Sequence, residues 1–161
     1  MADDSTPQVV QALRALGAEM DRLDDVACRI YGLNRTDMRA LEIVSRAGPI
    51  APTDLARLMG FTTGGITTVI DRLEKAGYVL RRAAGADRRR IVVEVTEATV
   101  IKDQEVFVGL FETTGRFVGS FKQTELAAIL RFLTGVRDVT AEYAASLSER
   151  DVLTESAGGA I

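Results

Sequence analysis

Apolar side chains return at three- and four-residue steps along the first part of the chain. Val9, Leu13, Leu16, Met20, Leu23, Ala27 and Ile30 form one such series and predict a helix from Pro7 to about Tyr31. Gly32 suits its end. A second helix carries Met38, Leu41, Ile43 and Val44, with Asn34 or Thr36 placed to cap it and "AGPI" at 47–50 to stop it. The stretch "PTDLARLMG" reads as a short third helix. Pro52 suits its first position, Asp54 complements the dipole of the first turn, and Gly60 ends it. Thr62 is a good N-cap for a fourth helix, whose core stripe is Ile66, Val69, Ile70 and Leu73 and whose end lies near Gly77.

The period then changes. "YVLRR" and "RRIVVEV" alternate or run apolar and β-branched, with "AAGAD" between them, which predicts a β-hairpin of Tyr78–Arg82 and Arg89–Val95. Helical spacing resumes at Glu97. Val100, Ile101, Val106, Phe107, Leu110, Phe111, Phe117, Val118 and Phe121 cover more of the helix than one buried face needs. Surplus apolar surface of this kind marks an interface. A last helix runs from about Gln123 to Leu147 with Leu126, Ile129, Leu130, Leu133, Val136, Val139 and Tyr143, and the tail "TESAGGAI" reads as disordered.

Helix, short helix, helix and hairpin over residues 38–96 make a winged helix-turn-helix, with "MGFT" as the turn. The fold class expected is mainly α with a small β-hairpin wing, a winged helix-turn-helix plus a helical dimerisation region. Its parts are an N-terminal dimerisation helix (1–35), the winged module (36–96), C-terminal dimerisation helices (97–150) and a disordered tail (151–161).

The fourth helix opens on "TTGG", although each glycine costs a helix about 1 kcal/mol relative to alanine. One reading is local: the glycines relieve crowding against the preceding helix, and the threonines are merely solvated. The other is that this face approaches a duplex. Gly64 and Gly65 would then let the backbone come close and offer N–H groups to phosphate. Thr62, Thr63, Thr67 and Thr68 would bond phosphate or base edges, their methyls touching thymine.

Charge favours the second reading. The 161 residues carry a net charge of −3, which does not suggest nucleic acid. Yet between Asp71 and Arg90 stand seven basic residues (Arg72, Lys75, Arg81, Arg82, Arg88, Arg89 and Arg90) against three acids (Asp71, Glu74 and Asp87). The run Arg88-Arg89-Arg90 follows a hairpin turn, from which arginines reach a narrow minor groove. Double-stranded DNA is therefore the partner expected, bound through Thr62, Thr63, Gly64, Gly65, Thr67, Thr68, Arg72, Arg88, Arg89 and Arg90.

Other chemistry is scarce. There is no histidine and one cysteine, Cys28. Histidine general-base catalysis and histidine pH sensing are excluded, and no disulfide forms within the chain. No nucleotide-binding fingerprint follows "TTGG", and Asp24-Asp25 are adjacent, so they point to different sides of a helix. No catalytic residue, metal ligand or cofactor is expected. Asp24 and Asp25 would raise the pKa of Cys28, which reads as a small core residue. "MADDSTPQ" is not a signal peptide and no run of about 18 apolar residues exists, so a cytoplasmic location is expected.

The stretch "LARLMGFTTGGITTVIDRLEKAGYVLRRAAGADRRRIVVEVTEAT" resembles the MarR family of bacterial transcriptional regulators, and the likeness is sharp over about residues 36–99. The resemblance implies a homodimer with interleaved N- and C-terminal helices, bound to a pseudo-palindromic operator, commonly as a repressor. It places the helix matching Thr62–Gly77 in the major groove and the arginine matching Arg89 in the minor groove. The aspartate matching Asp87 would orient that arginine by ion pairing. It also implies a small, often phenolic or anionic effector, bound near Tyr31, Met38, Phe107 and Phe111. The chain departs from the family in two places. Ala51 stands where a hydroxyl cap is usual, so Thr53 is expected to cap instead. Bulky polar residues are missing where Thr63, Gly64 and Thr68 stand, which shifts recognition towards DNA shape. The function expected is a dimeric, sequence-specific DNA-binding repressor. The alternative is a winged helix used for protein–protein contact, against which the arginine-rich wing argues.

Overall fold

The computed structural model describes residues 5–84 and 87–158, with side chains for 5–84 and 90–147. Within them the order is α1 (Thr6–Tyr31), α2 (Arg35–Ala47), α3 (Pro52–Met59), α4 (Thr63–Lys75), β1 (Val79–Ala84), β2 (Asp87–Val95), α5 (Glu97–Val118) and α6 (Gln123–Gly158). The chain forms two compact units, one ending at Val108 and the other beginning at Gly109.

In the first unit the helix ends follow local chemistry. Gly32 and Gly60 take left-handed φ values of 66° and 69°, which glycine adopts without a Cβ penalty. The cap of α2 is Asn34 rather than Thr36; its Oδ1 accepts the Asp37 N–H at 2.8 Å. At α3 the expected switch to Thr53 does not occur. Ala51 is the N-cap and no side chain caps it. Pro52 at the first position has no N–H to satisfy, and the Ala51 carbonyl accepts from the Asp54 and Leu55 N–H groups at 3.0 Å each. Thr62 caps α4 as expected, its Oγ1 accepting the Gly65 N–H at 3.2 Å.

The core of this unit is drawn from the anticipated stripes of α2, α3 and α4, whereas of the α1 series only Ala27 is buried and Val9, Leu16, Met20, Leu23 and Ile30 are exposed. Leu41 and Val44 of α2, Leu55 of α3, and Ile66, Val69, Ile70 and Leu73 of α4 are buried with Val79 and Val93 of the hairpin. The hairpin is antiparallel. Its register runs from Val79 opposite Val95 to Ala83 opposite Ile91 and then shifts, so that Ala84 faces Asp87. The second strand thus starts at Asp87, two residues before the expected Arg89. Ile50 exchanges both backbone hydrogen bonds with Val93, at 3.0 and 2.8 Å, and ties the α2–α3 loop to the wing.

Where α4 hands over to β1, Tyr78 joins several elements. Its N–H donates to the Leu73 carbonyl at 2.9 Å. Its hydroxyl donates to the Tyr31 carbonyl at 2.6 Å and accepts from Lys102 Nζ at 2.9 Å. Its own carbonyl accepts from Thr99 Oγ1 at 2.7 Å and from the Thr96 N–H at 3.0 Å. Tyr31 is buried at the end of α1 and donates its hydroxyl to Asp103, which also accepts from Ser45 Oγ at 3.2 Å. Lys102 Nζ sits 4.6 Å from the centre of the Tyr31 ring, a cation–π arrangement.

The second unit holds the end of α5 and all of α6. Lys122 donates its backbone N–H to Glu125 Oε2 at 2.7 Å, the reciprocal half of a capping box at the start of α6. Phe117 and Phe121 meet edge to face at 5.2 Å. α6 continues to Gly158, past the end expected near Leu147, and includes most of the segment read from sequence as a tail; residues 159–161 lie outside the described residues. Phe111, Phe117, Leu130, Val139 and Tyr143 are all exposed in this unit.

Candidate nucleic-acid interface

Burial of Ile66, Val69, Ile70 and Leu73 turns the opposite face of α4 outward. Gly64, Thr67, Thr68, Asp71 and Lys75 recur along it at helical spacing, and all are exposed. The 13 residues of α4 make a rod of about 20 Å, a size that fits a major groove.

The two glycines serve different ends. A Cβ built on Gly65 would lie 3.3 Å from Thr62 Oγ1 and 3.6 Å from the Phe61 ring, so Gly65 keeps the cap and its neighbour in place. A Cβ on Gly64 would meet nothing within 4 Å. Crowding from the preceding helix therefore explains neither glycine: Gly65 is confined by the turn and by its own cap, and Gly64 by nothing within the protein. The threonines also differ from the expectation of free hydroxyls. Thr67 Oγ1 donates to the Thr63 carbonyl at 2.9 Å and Thr68 Oγ1 to the Gly64 carbonyl at 3.4 Å. Their outward parts are methyl groups and oxygen lone pairs.

The basic cluster is more ordered than its sequence suggests. Arg72 closes a fork on Asp37, with Nε to Oδ2 at 2.8 Å. Asp37 is 3% exposed and also accepts from Asn34 Nδ2 at 2.9 Å. The hydrogen bonds that the Arg72 guanidinium donates to Asp37 hold it even more firmly protonated than usual. Arg81 pairs with Asp71 and Glu74, and Arg82 with Glu94 across the hairpin at 2.6 Å. Arg90 is exposed on β2. The side chains of Asp87, Arg88 and Arg89 lie outside the described residues, and with them the ion pair expected between Asp87 and Arg89; their backbone opens β2. Asp37 and Arg81 were not singled out by the sequence reading. Asp37 is a first-turn acid of α2, and its partner is 35 residues away, so local spacing carries no sign of the pair.

Cys28 is half-buried, and burial pushes its thiol pKa up, with Arg35 opposing and Asp24 and Asp25 adding to the rise. It borders a groove of about 430 Å3 between α1 and α2, lined also by Asp24, Arg35, Met38, Arg39 and Phe61. Of the residues expected near an effector, Met38 lines this groove, and Tyr31 and Phe107 stack with ring centroids 6.4 Å apart. Among the described residues no helix is long and apolar enough to cross a membrane, and no group of acidic or thiol side chains is placed to hold a metal ion.

Comparison with known proteins agrees with this geometry. A model of the MarR family matches residues 31–90. The chain is 34% identical over 133 residues to the HTH-type transcriptional regulator YcgE of Bacillus subtilis, an alignment covering 83% of this chain and 86% of that one. Streptococcus pneumoniae FabT, crystallised in complex with DNA, has the same fold with a TM-score of 0.66, at 16% identity over 84% of this chain and 97% of its own. RV1404 of Mycobacterium tuberculosis gives 0.64 at 21% identity, over 86% and 96%.

Proposed function

The chain belongs to the MarR family of transcriptional regulators, and from that footing we propose that it is a homodimeric, sequence-specific repressor that a small-molecule ligand releases from DNA. It has a DNA-binding fold and is a regulator, not an enzyme. In this reading α4 enters the major groove through Thr62, Thr63, Gly64, Gly65, Thr67 and Thr68. Arg88, Arg89 and Arg90 carry the wing to the minor groove, with Asp87 orienting Arg89. Arg72 supports the interface from behind through its fork on Asp37. The protein acts in the cytoplasm.

One observation carries the proposal: Gly64 stands on the exposed face of α4 with open space where a side chain would fit. Nothing inside the protein requires glycine there, and alanine would favour the helix. A close-fitting surface from outside supplies the reason. The apolar side chains exposed on α1, and separately on the end of α5 and on α6, support pairing with a second copy over residues 1–35 and 97–150. The groove beside Cys28, lined by Asp24, Glu42, Arg35 and Arg39, supports a ligand site.

The test is selection of bound sequences from a random duplex pool at physiological salt. The expected result is enrichment of an inverted repeat. Salt-sensitive binding without enrichment would replace this reading with non-specific DNA coating. No binding even at low salt would leave the winged helix as a protein-interaction module.

A further inference from the structure

Arg81 entered the sequence reading only as one positive charge among seven. In the structure its side chain is 28% exposed and closed on two carboxylates of α4. One guanidinium nitrogen donates to Asp71 Oδ1 at 2.5 Å, and another donates to Glu74 Oε2. Glu74 uses its second oxygen as well, accepting the Arg81 backbone N–H at 3.2 Å. The root of β1 is thereby fastened to α4 through both side chain and main chain.

The position of Asp71 gives this clamp its meaning. It shares the exposed stripe of α4 with Gly64, Thr67 and Thr68, the face assigned above to DNA. A bare carboxylate there would repel phosphates, since charges act over about 10 Å at 0.1 M salt. Arg81 is also badly placed to be a phosphate ligand, because its fork is already occupied on two sides.

We propose that Arg81 is a positioning residue that acts through its two partners: it shields Asp71 and Glu74 from the phosphate backbone, without touching DNA. This rests on the DNA-binding reading above.

The experiment compares wild type, Arg81→Ala and the triple variant Arg81→Ala/Asp71→Asn/Glu74→Gln on the selected inverted-repeat duplex, each with its salt dependence and a thermal melt. Arg81→Ala is expected to weaken binding about tenfold, and the triple variant to return to within about threefold of wild type with the wild-type salt slope. A triple variant that melts like wild type but stays at the Arg81→Ala affinity, with a salt slope lower by about one, would mean that Arg81 contacts phosphate itself and would overturn the proposal. So would an Arg81→Ala variant that binds as wild type does. If Arg81→Ala does not fold, the triple variant still decides, since it leaves no unpaired charge at the wing root. Wild type failing to bind any duplex would end the DNA-binding reading instead.

Discussion

Arg72 and Asp37 form a fork whose two halves live in different surroundings: the carboxylate is 4% exposed and the guanidinium side 45%. Asp37 is thus a buried anion whose main counter-charge comes from the helix proposed to read DNA. Asp37→Ala is expected to cost about 2–3 kcal/mol of stability, the range for lost hydrogen bonds to a charged partner. Arg72→Ala leaves the buried carboxylate without its cation, and is expected to be the more damaging of the two. The double variant should recover part of the loss. Urea unfolding of the three variants measures the coupling directly, and simple additivity would show that the fork contributes nothing.

Gly64→Ala and Gly65→Ala should have opposite effects on stability. The first places a methyl in open space on a helix and is expected to stabilise the fold by about 0.5–1 kcal/mol while weakening DNA binding. The second crowds Thr62 Oγ1 and should destabilise. Thermal melts and operator titrations on both variants check this. Unchanged binding by Gly64→Ala would remove the main support for close approach at that position.

The wing contributes a separate term. Arg89→Ala is expected to weaken operator binding by about 1–3 kcal/mol, as loss of a groove contact does. Arg57, which pairs with Asp54 on the surface of α3, serves as the control, and Arg57→Ala should bind as wild type does.

Tyr31 sets an alkaline limit on stability. Burial first, and then its hydrogen bond to Asp103, raise the phenol pKa well above its ordinary value of 10.0. A group whose pKa is raised by folding stabilises fully below its unfolded pKa and loses that contribution as pH rises past it. Urea midpoints should therefore be flat for this group at neutral pH and fall above about pH 10. Tyr31→Phe should flatten the alkaline fall. It should cost about 1–2 kcal/mol at neutral pH, because Asp103 keeps its bond from Ser45.

The exposed faces of the second unit predict association. Leu130 and Val139 of α6 are each 67% exposed. Leu130→Glu is expected to shift the protein from dimer to monomer in sedimentation equilibrium and to weaken operator binding with it. A wild-type protein that sediments as a monomer would overturn the dimer proposal.

Much of the fold could be read from the chain because its causes are local. The stripe Ile66-Val69-Ile70-Leu73, the Thr62 cap and the glycine stops at Gly32 and Gly60 each depend on neighbours within a few residues. The change of period at Tyr78 likewise announces the hairpin. The exceptions have physical causes of other kinds. Ala51 caps α3 through its carbonyl alone, beside a proline that needs no partner. α6 runs on through Glu149, Arg150 and Asp151, where good helix-forming spacing carried no apolar signal. Part of the candidate site was hidden for a third reason. Arg72 and Arg81 counted only as charge because their partnerships exist only in the fold: Asp37 reaches Arg72 from 35 residues away, and Asp71 and Glu74 meet Arg81 only where β1 turns back on α4.

Tyr78 has a mechanical consequence. Its backbone and side chain together grip the end of α1, the last turn of α4 and the first turn of α5, each by a hydrogen bond of 3.0 Å or less. Shifting α1 at Tyr31 or α5 at Thr99 relative to β1 would therefore stretch a hydrogen bond at the root of the wing.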